Sequence, residues 1–338
     1  MLAAVAAYAF PVGLGPWVTA AFASGAFGVD LFFALSAYLI TVLLLREKET
    51  RLSLDVKAFY LRRILRIWPL YFAFLAFAML LSSLGFRSQH LTAPYVAGYL
   101  VLAGNWVYVL YGLPQSVTVP LWSISIEEQF YLLWPLAVRK CSRRTMAWIA
   151  VSLLILSNCA RILFVKLAVP PHAIEYNTLA RLDPIALGIL LALVLGYKVP
   201  RISTPLRIAL FLAGAATWIV VARYWELSGY LTPARGVPLG RPAVALASIA
   251  MLIAVLGIRG GLNNPVLIYL GKISYGLYVI HEFGLLVALK LNHDRANALT
   301  VIAGLLITIL LAAISYRWLE TPFLSLKKRF THVASRSL

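Results

Sequence analysis

The chain has 338 residues, of which 62% are hydrophobic and only 12% charged. Soluble domains carry about 25% charged residues, so this composition leaves too little polar surface to cover a globule and excludes a water-soluble fold. The formal charge is +18, from 30 Lys and Arg against 12 Asp and Glu, but the cations sit in short loops between apolar runs, a pattern of membrane topology and not of nucleic-acid binding.

Taken in chain order, apolar runs long enough to cross roughly 30 Å of hydrocarbon are expected at 2–22, 26–45, 64–84, 121–138, 145–165, 179–197, 206–223, 241–258, 265–287 and 297–319. The opening MLAAVAAYAF lacks the positive n-region of a cleavable signal peptide. The loops REKETRLSLDVKAFYLRRILR (46–66) and RKCSRR (139–144) are rich in Lys and Arg, and loops of that kind stay on the cytoplasmic side. Both can do so only if an even number of crossings separates them. That keeps 64–84 and 121–138 as spans and leaves 94–111, PYVAGYLVLAGNWVYVLY, as a re-entrant or interfacial segment. The expectation is an all-α, multi-pass protein of the inner (cytoplasmic) membrane, with about ten transmembrane helices around a polar central cavity and both termini inside. Residues 1–325 form its transmembrane domain and 326–338 a short basic tail. Cys141 and Cys159 give neither a disulfide framework nor a metal-ligand spacing, and no metal is expected.

Charges inside spans cost at least about 2.5–3.5 kcal/mol near the bilayer centre, so each asks for a reason. On the outer side lie Asp30, Glu127, Glu128, Arg181 and Asp183, with His281 and Glu282 deeper. On the cytoplasmic side lie Arg62, Arg63 and Arg66, with Glu320 closing the last span. Ser274, Tyr278 and His281 are spaced four and three apart and so share one helix face. Each feature also has a purely structural reading. Ser125 and Glu128 have the spacing of a capping box, and Asp30 suits a helix first turn. The three arginines would be interfacial anchors, Arg181 and Asp183 a local ion pair, and His281 a satisfied interior histidine. Their joint placement favours a polar cavity with a basic cytoplasmic mouth and an acidic outer half. Capping leaves Glu127, one turn beyond Ser123, without a local duty, which makes it the favoured functional acid over Glu128.

Five blocks in this order, GVDLFFALSAYLIT, YLRRILRIWPLYF, WSISIEEQFYLLWPL, LGKISYGLYVIHE and YRWLETPF, make the chain resemble the integral-membrane acyltransferase-3 family. That family includes O-acetyltransferases of lipopolysaccharide O-antigen, exopolysaccharides, Nod factors and macrolides. The resemblance runs from about residue 3 to about 325 and implies a ten-helix core. It also implies transfer of an acyl group, usually acetyl, from acetyl-CoA or another acyl-CoA in the cytoplasm. The acceptor would be a hydroxyl of a saccharide, glycolipid or macrolide at the lipid bilayer. Arg62, Arg63 and Arg66 would then hold the donor phosphates, since guanidinium groups make charge-assisted contacts to phosphate. Glu127 or Glu128 would move a proton or orient an imidazole. Arg181, Tyr278 or Ser123 would face the developing oxyanion, with Asp30 and Asp183 on the acceptor side. One departure is sharp: Ala9, in VAAYAF, stands where family members carry a first-span histidine, and their N-terminal arginine is absent. A start assigned too far downstream explains the arginine only. A base relocated to His281, an altered member with little activity, or a misaligned short first span would explain Ala9. Outside catalysis, the alternatives are a non-catalytic relative that binds donor or glycolipid, and a proton-coupled transporter. The lack of an internal repeat and of a broken helix pair counts against the transporter.

Overall fold

The computed structural model describes residues 15–51, 53–86, 89–225, 236–258 and 264–327. Among these the secondary structure is helical throughout, apart from one isolated bridge between His90 and Gln115. The first part runs α1 (Pro16–Ala23), a 3-10 turn at Ser24–Phe27, α2 (Gly28–Arg51) and α3 (Val56–Ser83). Two short helices follow, α4 (Ala93–Leu100) and α5 (Gly104–Tyr111), then α6 (Leu121–Lys140) and α7 (Arg143–Lys166). After α8 (Pro171–Glu175) and a 3-10 turn at Thr178–Arg181 come α9 (Leu182–Leu195), α10 (Thr204–Trp225), α11 (Val237–Val255), α12 (Pro265–Leu291) and α13 (Ala298–Ser315). A π-helical turn, Tyr316–Glu320, leads into α14 (Thr321–Lys327). Several helix starts are set by local chemistry. Asp55, Ser142, Asn264 and Asn297 each accept a first-turn backbone N–H, satisfying donors that would otherwise be orphaned.

Eight helical segments among the described residues are long and apolar enough to cross a membrane. They fall on eight of the ten expected spans. Helix α6, with 20 residues, reaches about 30 Å at 1.5 Å per residue but carries Glu127, Glu128, Arg139 and Lys140. The first expected span, 2–22, lies mostly outside the described residues. The outward surface is apolar: Leu132, Leu133, Ile155, Val194 and Leu310 are all exposed. A soluble protein does not present such a continuous apolar exterior, whereas lipid accepts it. This is an all-α membrane protein.

The segment expected to be re-entrant folds as α4 and α5, each about 12 Å long and joined through Leu102 in the left-handed region at φ 57°. Neither can cross the bilayer. In hydrocarbon their free helix ends would be costly, and hydroxyl groups hold the hairpin in place. Tyr71 Oη donates to the Tyr99 carbonyl at 3.0 Å, the Tyr99 and Tyr108 hydroxyls meet, and Thr118 Oγ1 lies 2.8 Å from Tyr99 Oη. Close approach elsewhere depends on missing side chains. A Cβ on Gly188 of α9 would sit 2.3 Å from the Ala34 carbonyl oxygen of α2. Small residues at crossings are the usual solution in lipid, where close van der Waals contact replaces the hydrophobic drive.

Candidate functional site

Helix α6 is the spine of the site, and Leu121 to Glu127 are all buried. Its first two turns present Trp122, Ser123 and Glu127 to three different neighbours. Ser123 Oγ and Tyr278 Oη of α12 lie 2.5 Å apart, and Tyr278 Oη also donates to the Pro120 carbonyl at 3.1 Å. The Phe32 ring of α2 stacks on that of Tyr278 with centroids 6.2 Å apart. One turn further along α12, His281 Nδ1 is 2.6 Å from the Tyr278 carbonyl oxygen. A carbonyl only accepts, so Nδ1 carries the hydrogen and the neutral ring leaves its lone pair on Nε2. The imidazole is partly open, at 26% side-chain exposure, and its Nε2 lies 3.9 Å from Glu282 Oε1.

The Glu127 carboxylate accepts hydrogen bonds from the Ser36 and Tyr131 hydroxyls, which are themselves 2.6 Å apart. The Arg63 guanidinium lies over the rings of Phe59 and Tyr131, 5.6 and 5.4 Å from their centroids, and its Nε has no hydrogen-bond partner among the described residues. Glu128 Oε2 accepts from Trp68 Nε1 at 3.2 Å, while its buried Oε1 has no hydrogen-bond partner among the described residues. The capping box is overturned. Helix α6 begins four residues before Ser125, whose Oγ accepts the Gly104 N–H and donates to the Leu121 carbonyl. Both glutamates therefore reach a partner on another helix, Ser36 for Glu127 and Trp68 for Glu128. The hydrogen bonds of Glu127 go to Ser36 and Tyr131, and the carboxylate at ion-pair distance from His281 belongs to Glu282.

The other charges expected on the outer side, Asp30, Arg181 and Asp183, fall into two buried groups. Arg161 of α7 grips Asp183 through both terminal nitrogens at 2.7 and 2.8 Å and also donates to the Ala180 carbonyl at 2.8 Å. Arg181 and Arg241 share Asp30 and Glu175. Arg181 is 3.4 Å from Asp30 and 3.7 Å from Glu175, and Arg241 is 3.5 Å from Asp30 and bonded to Glu175. The expected local pair of Arg181 with Asp183 is thus replaced by two pairings across helices. Three cations face three carboxylates, the balance that burial demands, since an uncompensated charge here costs several kcal/mol. The Arg181 guanidinium also lies 5.3 Å from the Trp122 ring centroid, which ties this group to α6.

Of the three clustered arginines, Arg62 bonds Glu47 at 2.9 Å, Arg63 is stacked as described, and Arg66 lines a cavity beside α12 and the π-turn. Ala9 lies outside the described residues. Among the described residues no group of His, Cys, Asp or Glu is placed to hold a metal ion. Sequence reasoning missed Ser36, Tyr131, Arg161, Glu175 and Arg241. The i, i+4 spacing of Glu127 and Tyr131 was a signal for one of them; the others come from distant segments.

A family model described as an acyltransferase domain matches residues 3–317. The chain is 28% identical to the peptidoglycan O-acetyltransferase OatA of Listeria monocytogenes, over 88% of this chain and 51% of that protein. It is 29% identical to YrhL of Bacillus subtilis, provisionally named a peptidoglycan O-acetyltransferase, over 89% of this chain and 51% of the relative. The chain thus spans about half the length of the curated relatives it matches. No solved structure gives a significant match.

Proposed function

Since this chain belongs to the acyltransferase-3 family, we propose that it is a membrane O-acetyltransferase that moves an acetyl group from an acyl-CoA to a saccharide hydroxyl. The donor enters from the basic, cytoplasmic end of the bundle, and the protein resides in the cytoplasmic membrane. The names of two relatives, a peptidoglycan O-acetyltransferase and a second so named provisionally, support a saccharide acceptor. The observation that carries the reading is the His281 imidazole, whose Nδ1 hydrogen bond leaves Nε2 as a proton acceptor on a partly open face.

In this reading the acceptor hydroxyl oxygen attacks the thioester carbonyl while its proton passes to His281 Nε2. The C–O bond forms and a tetrahedral oxyanion develops, within reach of a hydroxyl donor such as Tyr278, which Ser123 and Phe32 hold in place. Collapse breaks the C–S bond, and the imidazolium returns its proton to the leaving thiolate. The products are an ester and a free CoA thiol. Glu127, held by two hydroxyls, and the paired charges around Asp30 act as scaffold that fixes α6 against α2.

Purified protein, labelled acetyl-CoA and a peptidoglycan-derived glycan test the reading. Turnover that disappears in His281→Ala supports it. Activity that appears only in Ala9→His favours instead the non-catalytic relative, a reading that rests on the alanine at the first-span position.

A further inference from the structure

The cavity beside Arg66 is used by none of the chemistry above. It lies between α3, α12 and the segment that follows α13, and it measures about 260 Å³. Arg66 and Lys272 enter it from helices some two hundred residues apart in sequence, with Tyr316 and Glu320 from the π-turn and Ile268 and Leu324 at its apolar edge. This is the end of the bundle that carries the basic loops: Lys272 is two turns into α12, and Glu320 follows the last turn of α13.

Three features make the cavity a built site. First, the two cations are uncommitted: neither Arg66 nor Lys272 makes a hydrogen bond or an ion pair with another described residue, whereas the neighbouring Arg62 is occupied by Glu47. Second, the Glu320 side chain is buried, accepts from Ser315 Oγ at 3.3 Å, and packs where Gly276 leaves room for it. One carboxylate against two cations leaves the cavity net positive. Third, Tyr316–Glu320 is a π-helical turn, a rare distortion that re-aims side chains and recurs at functional positions. The residues that line this space include a guanidinium, an exposed ammonium and a phenol, donors suited to phosphate oxygens. The volume is below the roughly 300–1,000 Å³ of sites that enclose a whole small molecule, so it takes one phosphoryl-bearing part of a ligand.

We propose that Arg66, Lys272 and Tyr316 form a phosphoryl-binding subsite in which Lys272 is the principal new contact. On the reading of the function given above, on which this assignment of source rests, the phosphoryl group is that of the CoA donor. A membrane lipid headgroup offers the same chemistry, and the test separates the two.

Affinity of the purified full chain would be measured for CoA, for adenosine 3′,5′-bisphosphate, for S-acetylpantetheine and for nanodiscs containing phosphatidylglycerol. Lys272→Gln and Arg66→Gln should each weaken CoA and the bisphosphate about tenfold or more, the size of one charge-assisted hydrogen bond. S-acetylpantetheine, which lacks the nucleotide phosphates, should be unaffected. Lys272→Arg should restore most of the loss, and Lys290→Gln, a surface cation paired with Asp294, should change nothing. Losses confined to phosphatidylglycerol keep the phosphoryl subsite and assign it to lipid, overturning the donor as its source. Unchanged binding of both phosphate classes in Lys272→Gln and Arg66→Gln overturns the proposal. CoA binding that depends on Lys272 in a chain with no transferase activity leaves the subsite standing while the proposed function fails.

Discussion

Replacing Asp183 by Asn tests the buried charge arrangement where its geometry is strongest. Arg161 has no exposed side-chain area and Asp183 only 3%. The wild-type guanidinium donates two charge-assisted hydrogen bonds, of 2.7 and 2.8 Å, to that carboxylate. In Asp183→Asn the Ala180 carbonyl, Ser157 and Asn158 contacts remain, but the cation loses its counter-charge without gaining water. Breaking a buried pair from one side costs about 3–5 kcal/mol. At about 2 °C per kcal/mol for a large chain, the unfolding midpoint should fall roughly 6–10 °C. Intrinsic tryptophan fluorescence of the detergent-solubilised protein during heating reads this directly. Arg161→Met combined with Asp183→Leu removes both charges and should regain most of the loss, because apolar replacements avoid the desolvation penalty. A midpoint for Asp183→Asn within about 1 °C of wild type, or a double variant as unstable as the two single losses added, would refute the argument.

The same physics gives further expectations. Gly188→Ala places a methyl group against the Ala34 carbonyl and should destabilise the α2–α9 crossing by about 1–3 kcal/mol, seen as a lower thermal midpoint, with Gly188→Ser no better. Tyr278→Phe leaves Ser123 with the Pro120 carbonyl as its remaining acceptor; it should lower kcat about tenfold or more with KM for acetyl-CoA nearly unchanged if Tyr278 meets the oxyanion. Glu127→Gln keeps an acceptor oxygen for Ser36 and Tyr131. It should fold with a midpoint near wild type and retain most activity, whereas Glu127→Leu leaves one of these two mutually bonded hydroxyls without an acceptor and should cost about 1–3 kcal/mol.

Much of the fold was legible because its signals are local and one-dimensional. Apolar length located the eight long apolar segments, and the need to keep two basic loops on one side identified 94–111 as non-spanning, where the structure has the short α4–α5 hairpin. The resemblance named the family correctly. The residue types of the site were also visible, since charges at membrane depth stand out against Leu and Val. Their partners were not. The capping box was inferred from a three-residue spacing that holds only if a helix starts at Ser125, and α6 starts earlier. Arg181 and Asp183 are neighbours in sequence, yet they sit at the junction of a 3-10 turn and α9 and turn to Asp30 and Arg161 respectively. Arg241 lies 211 residues from its partner Asp30, a separation that no periodicity reports.

In the proposed chemistry His281 accepts the proton of the acceptor hydroxyl. Its most direct test is single-turnover transfer from labelled acetyl-CoA to a glycan acceptor, comparing wild type with His281→Ala and His281→Gln and measuring CoA affinity in parallel. General-base catalysis is worth about 10²–10⁴-fold, so both variants should lose at least about a hundredfold in rate while CoA binding stays within about twofold. Transfer by His281→Ala within a few-fold of wild type would contradict the account.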